Sequence, residues 1–265
     1  MVSSQERRGL CDLGGRIALI TGASRGIGRA AAVALAGAGA RVVLVGRDRN
    51  ALEGSAEAVA EAASGKGGQP DSLCLKADLS DPDAVARVFR RTVRACGGLN
   101  ILVNNAGIGI GKPFWDTTLE DWDRTHAIDL RGAYLCAKQA SEVMRKGGGG
   151  KIINVVSASA LVGMPGLSAY GAAKGGLASL TRGMAVELAR DGIFVNAVCP
   201  GYVMTDMSRE FLESESGQKF IRENVPLRRP GTPQDVAAAI LFFASPASDY
   251  VTGVVLPVDG GQTAK

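Results

Sequence analysis

Residues 16–28 read Arg16-Ile17-Ala18-Leu19-Ile20-Thr21-Gly22-Ala23-Ser24-Arg25-Gly26-Ile27-Gly28, and an alanine-rich run to Ala38 follows without a break. An apolar strand, a glycine turn and a helix in that order open a β-α-β unit. Glycines at such a turn let the backbone approach a pyrophosphate, whose charge is met by free N–H groups and the positive end of the helix dipole. A glycine triplet alone also suits a purely structural turn; its place between a first strand and its helix favours the dinucleotide reading. The clusters Gly37-Ala38-Gly39 and Gly107-Ile108-Gly109-Ile110-Gly111 stand elsewhere and read as turns.

Downstream, apolar runs of strand length alternate with helix-period segments, the pattern of a parallel sheet built from repeated β-α units. Strands are expected at Arg16 to Thr21, Arg41 to Gly46, Leu73 to Lys76, Ile101 to Asn104, Lys151 to Val156, Phe194 to Val198 and Val254 to Val258. Runs such as Val42-Val43-Leu44-Val45 lack polar alternation and should be buried on both faces. Helices are expected at Ile27 to Ala38, Asn50 to Ala63, Pro82 to Ala95, Leu119 to Arg145, Ser168 to Arg190 and Pro233 to Ala244. Asp81-Pro82 and Thr232-Pro233 are N-cap and first-turn proline pairs. The glycine clusters Gly65 to Pro70 and Gly147 to Gly150 read as turns. From Pro200 to Thr232 the alternation stops, and a loop this long in a compact domain is usually a lid or a packed surface insertion. We place a tail at residues 1–13, one domain at 14–262 and a substrate lid at about 203–231.

With 265 residues, 46% of them hydrophobic and 21% charged, the chain can bury a core without metal or disulfide support. Its one histidine, His126, closes every multi-histidine metal site, and no metal is expected; we read His126 as a surface or packing residue. A net charge of +4 spread along the chain gives no case for nucleic acid. Cys11, Cys74, Cys96, Cys136 and Cys199 are odd in number and widely spaced, which suits reduced thiols in a cytoplasmic compartment. The first fifteen residues carry charges where a signal peptide needs an apolar run, so neither an export nor a transit signal is expected. The longest uncharged stretch, Ile152 to Ala173, carries Asn154, three serines, Pro165 and Tyr170, so no membrane span is expected.

The turn has the spacing T-G-x-x-x-G-x-G, and further motifs follow it in order. Asp78-Leu79 follows the third strand and Asn104-Asn105-Ala106-Gly107 ends the fourth; then come Ser157, Tyr170 and Lys174, and Pro200-Gly201 with Val203 and Thr205. Together these resemble the short-chain dehydrogenase/reductase family over residues 14 to 262, in particular its NADP(H)-preferring members such as 3-oxoacyl-ACP reductases and gluconate 5-dehydrogenase-like enzymes. The resemblance implies a Rossmann-like, doubly wound α/β domain of about seven strands in the order 3-2-1-4-5-6-7, with helices on both faces. It also implies hydride transfer between NADP(H) and a ketone or secondary alcohol. A homotetramer is implied as well, using the helices of Leu119 to Arg145 and Ser168 to Arg190 as one interface.

By the same resemblance, Gly22, Ser24, Arg25, Gly26, Ile27 and Gly28 hold the cofactor phosphates, and Asp78 with Leu79 contacts the adenine. Asn105, Ala106 and Gly107 line its path, and Pro200, Gly201, Val203 and Thr205 hold the carboxamide end. The second strand ends Leu44-Val45-Gly46-Arg47-Asp48; Gly46 stands where an acidic residue would bind the ribose of NAD, while Arg47 and Arg25 can pair with the 2′-phosphate of NADP. The alternative is two solvated arginines, with Asp48 taking the ribose of NAD.

Tyr170 and Lys174 lie at i and i+4, on one face of one helix. A free phenol ionises near pH ~10 and is a poor base at neutral pH, but a neighbouring ammonium favours phenolate. Tyr170 is therefore the candidate general acid/base, Ser157 the hydrogen-bond partner of the substrate oxygen, and Lys174 the cation that also holds the nicotinamide ribose. Where the family usually carries an asparagine supporting a proton-relay water chain, this chain has Asp129, within Ile128-Asp129-Leu130-Arg131-Gly132. An ionised aspartate accepts but cannot donate, and its charge could pair with Lys174. That departure keeps a second reading open: an NADP(H)-binding sensor or scaffold with little turnover.

The substrate stays open among 3-oxoacyl thioesters, sugars or polyols, and other carbonyls. The opening toward Met204, Met207 and Phe211 is apolar, and the positions where acyl-carrier reductases carry basic residues are Gly148 and Asp191, with Arg145, Lys146 and Arg190 nearby.

Overall fold

The computed structural model describes residues 9–64 and 72–264. Seven strands, β1 (Ile17–Thr21), β2 (Arg41–Gly46), β3 (Leu73–Lys76), β4 (Ile101–Asn104), β5 (Gly150–Val155), β6 (Ile193–Pro200) and β7 (Val255–Val258), form one sheet in the order β3-β2-β1-β4-β5-β6-β7. Every pairing is parallel, so all seven carboxyl ends open on the same edge. This is the order expected from the sequence.

Both faces are covered, as the unbroken apolar runs require. Ala18 and Ile20 of β1 point into one core with α1 (Gly26–Gly37), α2 (Arg49–Ser64) and α9 (Pro233–Ala244). Leu19, between them, joins a second core on the opposite face, with α3 (Pro82–Cys96), α5 (Ala133–Lys146) and the far end of α6 (Ser168–Leu188). Each such Leu, Ile or Val contributes roughly 1.5–3 kcal/mol by leaving water. The core begins slightly before residue 14, because Leu13 is buried and its N–H reaches the Ala38 carbonyl.

Both predicted caps form. Asp81 accepts from the Asp83 N–H at 2.8 Å, and Thr232 and Asp235 close a reciprocal capping box.

Two expectations need correction. The single helix expected from Leu119 to Arg145 is three pieces: α4 (Leu119–His126), a wider π-helical turn (Ala127–Gly132) and α5. Gly132 lies against the Leu79 carbonyl, where a Cβ would come within 2.9 Å, and Asp129 turns fully inward. An inserted residue that re-aims a side chain is the usual use of such a turn. The segment from Pro200 to Thr232 is not structureless either: it carries α7 (Arg209–Glu213) and α8 (Glu215–Asn224), with Leu212, Ile221 and Val225 in a small core of their own beneath Tyr202, Met204 and Phe220. Ser214 caps α8 through the Gly217 N–H at 3.0 Å, a local start signal overshadowed by the prolines that follow. The cluster Gly65 to Pro70 and the first eight residues of the predicted tail lie outside the described residues. Among the described residues no helix is long and apolar enough to cross a membrane.

Candidate active site

Thr21 ends β1 and ties the glycine turn to the loop after β4. Its Oγ1 accepts from the N–H groups of Asn105 (2.9 Å) and Ala106 (3.0 Å) and donates to the Val103 carbonyl. Asn105 returns the contact, its Nδ2 donating to the carbonyls of Thr21 and Gly22 at 2.9 and 3.1 Å. This crossing explains two of the glycines. A Cβ on Gly28 would lie 2.2 Å from the Gly22 carbonyl oxygen, and one on Gly22 would lie 2.8 Å from Asn105 Nδ2. Gly22 and Gly26 also hold positive φ angles, +63° and +54°. The turn is thus closed by its own packing against Asn105, and Arg25, the N-cap of α1, makes no side-chain cap, which leaves the first N–H groups of the helix available to an anion.

At the end of β2, a Cβ on Gly46 would come within 2.4 Å of Ser24 Oγ and 3.2 Å of a Leu52 methyl. A side chain at this position would have to move the Ser24 hydroxyl and crowd Leu52. Arg47 is exposed beside this gap. Asp48 caps α2, its Oδ1 accepting from the Ala51 N–H at 3.2 Å. Asp78 accepts from the N–H and hydroxyl of Ser80 at 2.9 and 2.8 Å, and these bonds, helped by the Arg47 charge, hold its carboxyl below the usual range. Arg47, Asp78, Ser80 and Arg131 line a cavity of about 1280 Å³.

The proton-transfer candidates meet at the ends of β4 and β5. Ser157, two residues beyond β5, caps a short helical turn by accepting from the Ser159 N–H at 3.2 Å. Gly171 lies against that turn, where a Cβ would touch the Ser159 carbonyl at 3.0 Å, and so seats Tyr170 next to it. Lys174, one turn further along α6, is buried; its Nζ donates to the Val155 carbonyl at 3.0 Å and stands 5.6 Å from the centre of the Tyr170 ring.

Asp129 reaches the same place from the π-helical turn. A Cβ on Gly107 would lie 3.1 Å from Asp129 Oδ1 and 3.3 Å from Lys174 Nζ, so the two side chains meet over this glycine. Each takes a backbone partner, Asp129 Oδ1 accepting from the Ile108 N–H at 2.8 Å and Lys174 Nζ donating to the Val155 carbonyl, so the two charges act on each other without a direct salt bridge. Asp129 Oδ2 is buried with no partner. Burial pushes this carboxyl above the usual carboxylate range, against the opposing charge of Lys174.

Pro200 ends β6, and Gly201 packs on the Asp259 backbone, where a Cβ would come within 2.9 Å of its Cα. Val203 is buried and bridges to Gly231. Thr205 brings the segment back over the glycine turn, its methyl 3.4 Å from where a Gly26 Cβ would stand, and Asp206 reaches Arg25 at 3.8 Å.

Sequence reasoning missed a buried chain of amides behind the site. Asn104 Nδ2 donates to the Ala133 carbonyl and to Asn154 Oδ1, and Asn154 Nδ2 donates to Thr181 Oγ1 at 2.8 Å. It ties β4 and β5 to α5 and α6. The available signal was an asparagine in the middle of an apolar strand. His126 stacks on Trp122 with ring centres 4.0 Å apart, a packing role. Among the described residues no cluster of His, Cys, Asp or Glu could hold a metal ion.

A family model described as enoyl-(acyl carrier protein) reductase matches residues 22–263. A 3-oxoacyl-[acyl-carrier-protein] reductase of Synechocystis sp. is 40% identical over 250 residues, 93% of this chain and 96% of that protein. A short-chain type dehydrogenase/reductase from Mycobacterium marinum superposes with a TM-score of 0.89 at 36% identity, covering 97% of this chain and 98% of that one. A gluconate 5-dehydrogenase from Burkholderia cenocepacia, solved with NADP and tartrate, gives 0.88 at 34% identity, covering 97% and 98%. Glycine turn, strand order and whole-length similarity agree: the chain belongs to the short-chain dehydrogenase/reductase family, oxidoreductases that act on alcohols and ketones with a nicotinamide cofactor.

Proposed function

We propose that this chain interconverts a ketone and a secondary alcohol with NADP(H), using Tyr170 as general acid/base. The observation that carries the reading is the burial of Lys174 between the Val155 carbonyl and the Tyr170 ring, one strand end away from Ser157. When bound, the nicotinamide supplies or accepts the hydride. Ser157 holds the substrate oxygen and stabilises charge developing on it. Tyr170 exchanges a proton with that oxygen, and Lys174 places a positive charge beside the phenol. Asp129 has one oxygen fixed by the Ile108 N–H and the other without a partner, and burial raises its pKa, so that it would be able to take up and return a proton within the site.

The cradle fits a dinucleotide: Gly22, Ser24, Arg25, Gly26, Ile27 and Gly28 would hold its pyrophosphate and Asp78 with Leu79 its adenine. Asn105, Ala106 and Gly107 would line its path, with Pro200, Gly201, Val203 and Thr205 at the carboxamide. Preference for NADP(H) is supported by the closed space at Gly46, the exposed Arg47, and Asp48 already serving as a helix cap. Residues 14–262 form one unit, with the substrate lid at about 203–231 carrying α7 and α8. A tetramer is supported by Trp122, Tyr134 and Val186, large side chains left exposed around α4, α5 and α6. A cytoplasmic location is supported by five free cysteines.

The test is NADPH oxidation over a ketone panel, with Tyr170→Phe as control. Binding of NADPH without turnover of any ketone would favour the sensor or scaffold reading, which Asp129 in the place of the family's asparagine motivates.

A further inference from the structure

The mouth of the site is built from three segments. The first, residues 108–116, leaves β4 after Gly107, and its Ile108 N–H bonds Asp129. The second, residues 158–167, begins directly after Ser157, and its Gly166 carbonyl accepts from the Lys112 N–H at 3.0 Å, which joins it to the first. The third, residues 202–208, follows β6 and brings Met207 Sδ to within 3.1 Å of where a Gly109 Cβ would stand. The three are therefore joined to one another, the second starting beside Ser157 and the first reaching Asp129.

What these segments present is apolar. Leu161, Val162 and Met207 are exposed there, as are Phe114 and Trp115 at the rim, and Phe211 packs at a tilt against Tyr202 just beyond. Solvent-facing apolar side chains converging on one opening mark a surface that something apolar covers. The charges are as informative. The middle segment has none, lying wholly within the uncharged stretch from Ile152 to Ala173. Lys112, the one cation of the three segments, is held by Asp121 at 2.6 Å, and that bond keeps the Asp121 carboxyl down at about 2. Asp206 faces Arg25, and Asp116 is itself an anion. No cation in these segments is left to anchor a carboxylate or phosphate on the substrate; Arg209, which follows them, is held by Glu213 at 3.1 Å, and Lys219 and Arg222 lie further along, exposed on α8.

We infer that the substrate is a neutral, apolar ketone, held by hydrophobic burial and not by a charged anchor. This rests on the reductase reading above. In the reaction a hydride adds to the carbonyl carbon as the C=O π bond breaks, and the oxygen takes a proton from Tyr170. The reduced nicotinamide is the reductant, and solvent restores the phenol proton. An apolar wall of this kind excludes a charged analogue through its desolvation cost.

The experiment compares α-tetralone, a ring-carboxylated tetralone, an open-chain keto-sugar acid and acetoacetyl-coenzyme A with the full chain and NADPH. Each ketone is also titrated calorimetrically into protein holding NADP⁺, a pair that cannot react. The expected result is kcat/KM for α-tetralone at least ~10-fold above each of the others, with a matching order of affinity. Equal or faster turnover of the carboxylated tetralone, the sugar acid or the thioester overturns the substrate class and leaves the reductase reading standing. Turnover of none of the four overturns both. Met207→Lys, a change at an exposed position, should shift the carboxylated-to-neutral ratio by at least ~10-fold toward the carboxylate. An unchanged ratio in a folded variant overturns the placement of the substrate against Met207.

Discussion

Asp129 Oδ1 accepts a 2.8 Å hydrogen bond from the Ile108 N–H, while Oδ2 of the same carboxyl is buried with no partner. A carboxyl arranged this way is suited to its neutral form, with one oxygen accepting and the other carrying a proton. A neutral acid has the same hydrogen-bonding shape as an amide side chain, which makes Asn the informative substitution.

Burial raises the folded-state pKa of Asp129 above 3.8, so the folded chain binds a proton that the unfolded chain releases. Stability from this proton is complete below 3.8 and is lost as pH rises through the raised folded value. Asp129→Asn removes the dependence. Thermal melts between pH 4 and 9 should show the advantage of the variant growing with pH; a constant offset would remove Asp129 from the argument. Asp129→Asn should also keep turnover at or above the parent's, while Asp129→Ala lowers it.

Tyr170→Phe keeps the packing of the ring and removes the transferable proton. Turnover should fall by at least ~10²-fold with cofactor affinity nearly unchanged. Retention of a tenth of the parent rate would mean that another group transfers the proton.

Arg47→Asp replaces the exposed cation beside Gly46 with a carboxylate. Fluorescence titration should show NADPH binding more tightly than NADH in the parent and the reverse in the variant. Equal dissociation constants in the parent would dispose of the NADP(H) assignment.

Asn154→Ala breaks two buried hydrogen bonds, to Asn104 and to Thr181. Denaturant unfolding should show a loss of about 2–4 kcal/mol, since each abandoned polar group stays dry. A loss within ~0.5 kcal/mol would mean that water repairs the network.

Burial pushes the Cys136 and Cys199 thiols up to about 12, and Cys11 is exposed. Iodoacetamide applied to the native protein at pH 8 should label Cys11 and leave Cys136 and Cys199 unmodified until denaturant is added. Mass spectrometry of the peptides reads the outcome.

The sequence by itself determined the features that depend on neighbours along the chain. Strand, glycine turn and helix at residues 17–37 follow from local pattern, and Tyr170 and Lys174 share a face because four residues make about one helical turn. The parallel sheet followed from strands without polar alternation, such as β2, and its order from the family resemblance. Tertiary structure decided whatever depends on which surfaces meet. Thr21 and Asn105 are 84 residues apart, and only their contact shows that Gly22 and Gly28 serve the closure of the turn as well as a ligand. The inward swing of Asp129 comes with a break in a helix whose periodicity runs on unchanged, and at that break Gly132 packs against the Leu79 carbonyl, 53 residues before it. Periodicity records which residues avoid water; it does not record which distant carbonyl, amide or ammonium will stand beside them once they do.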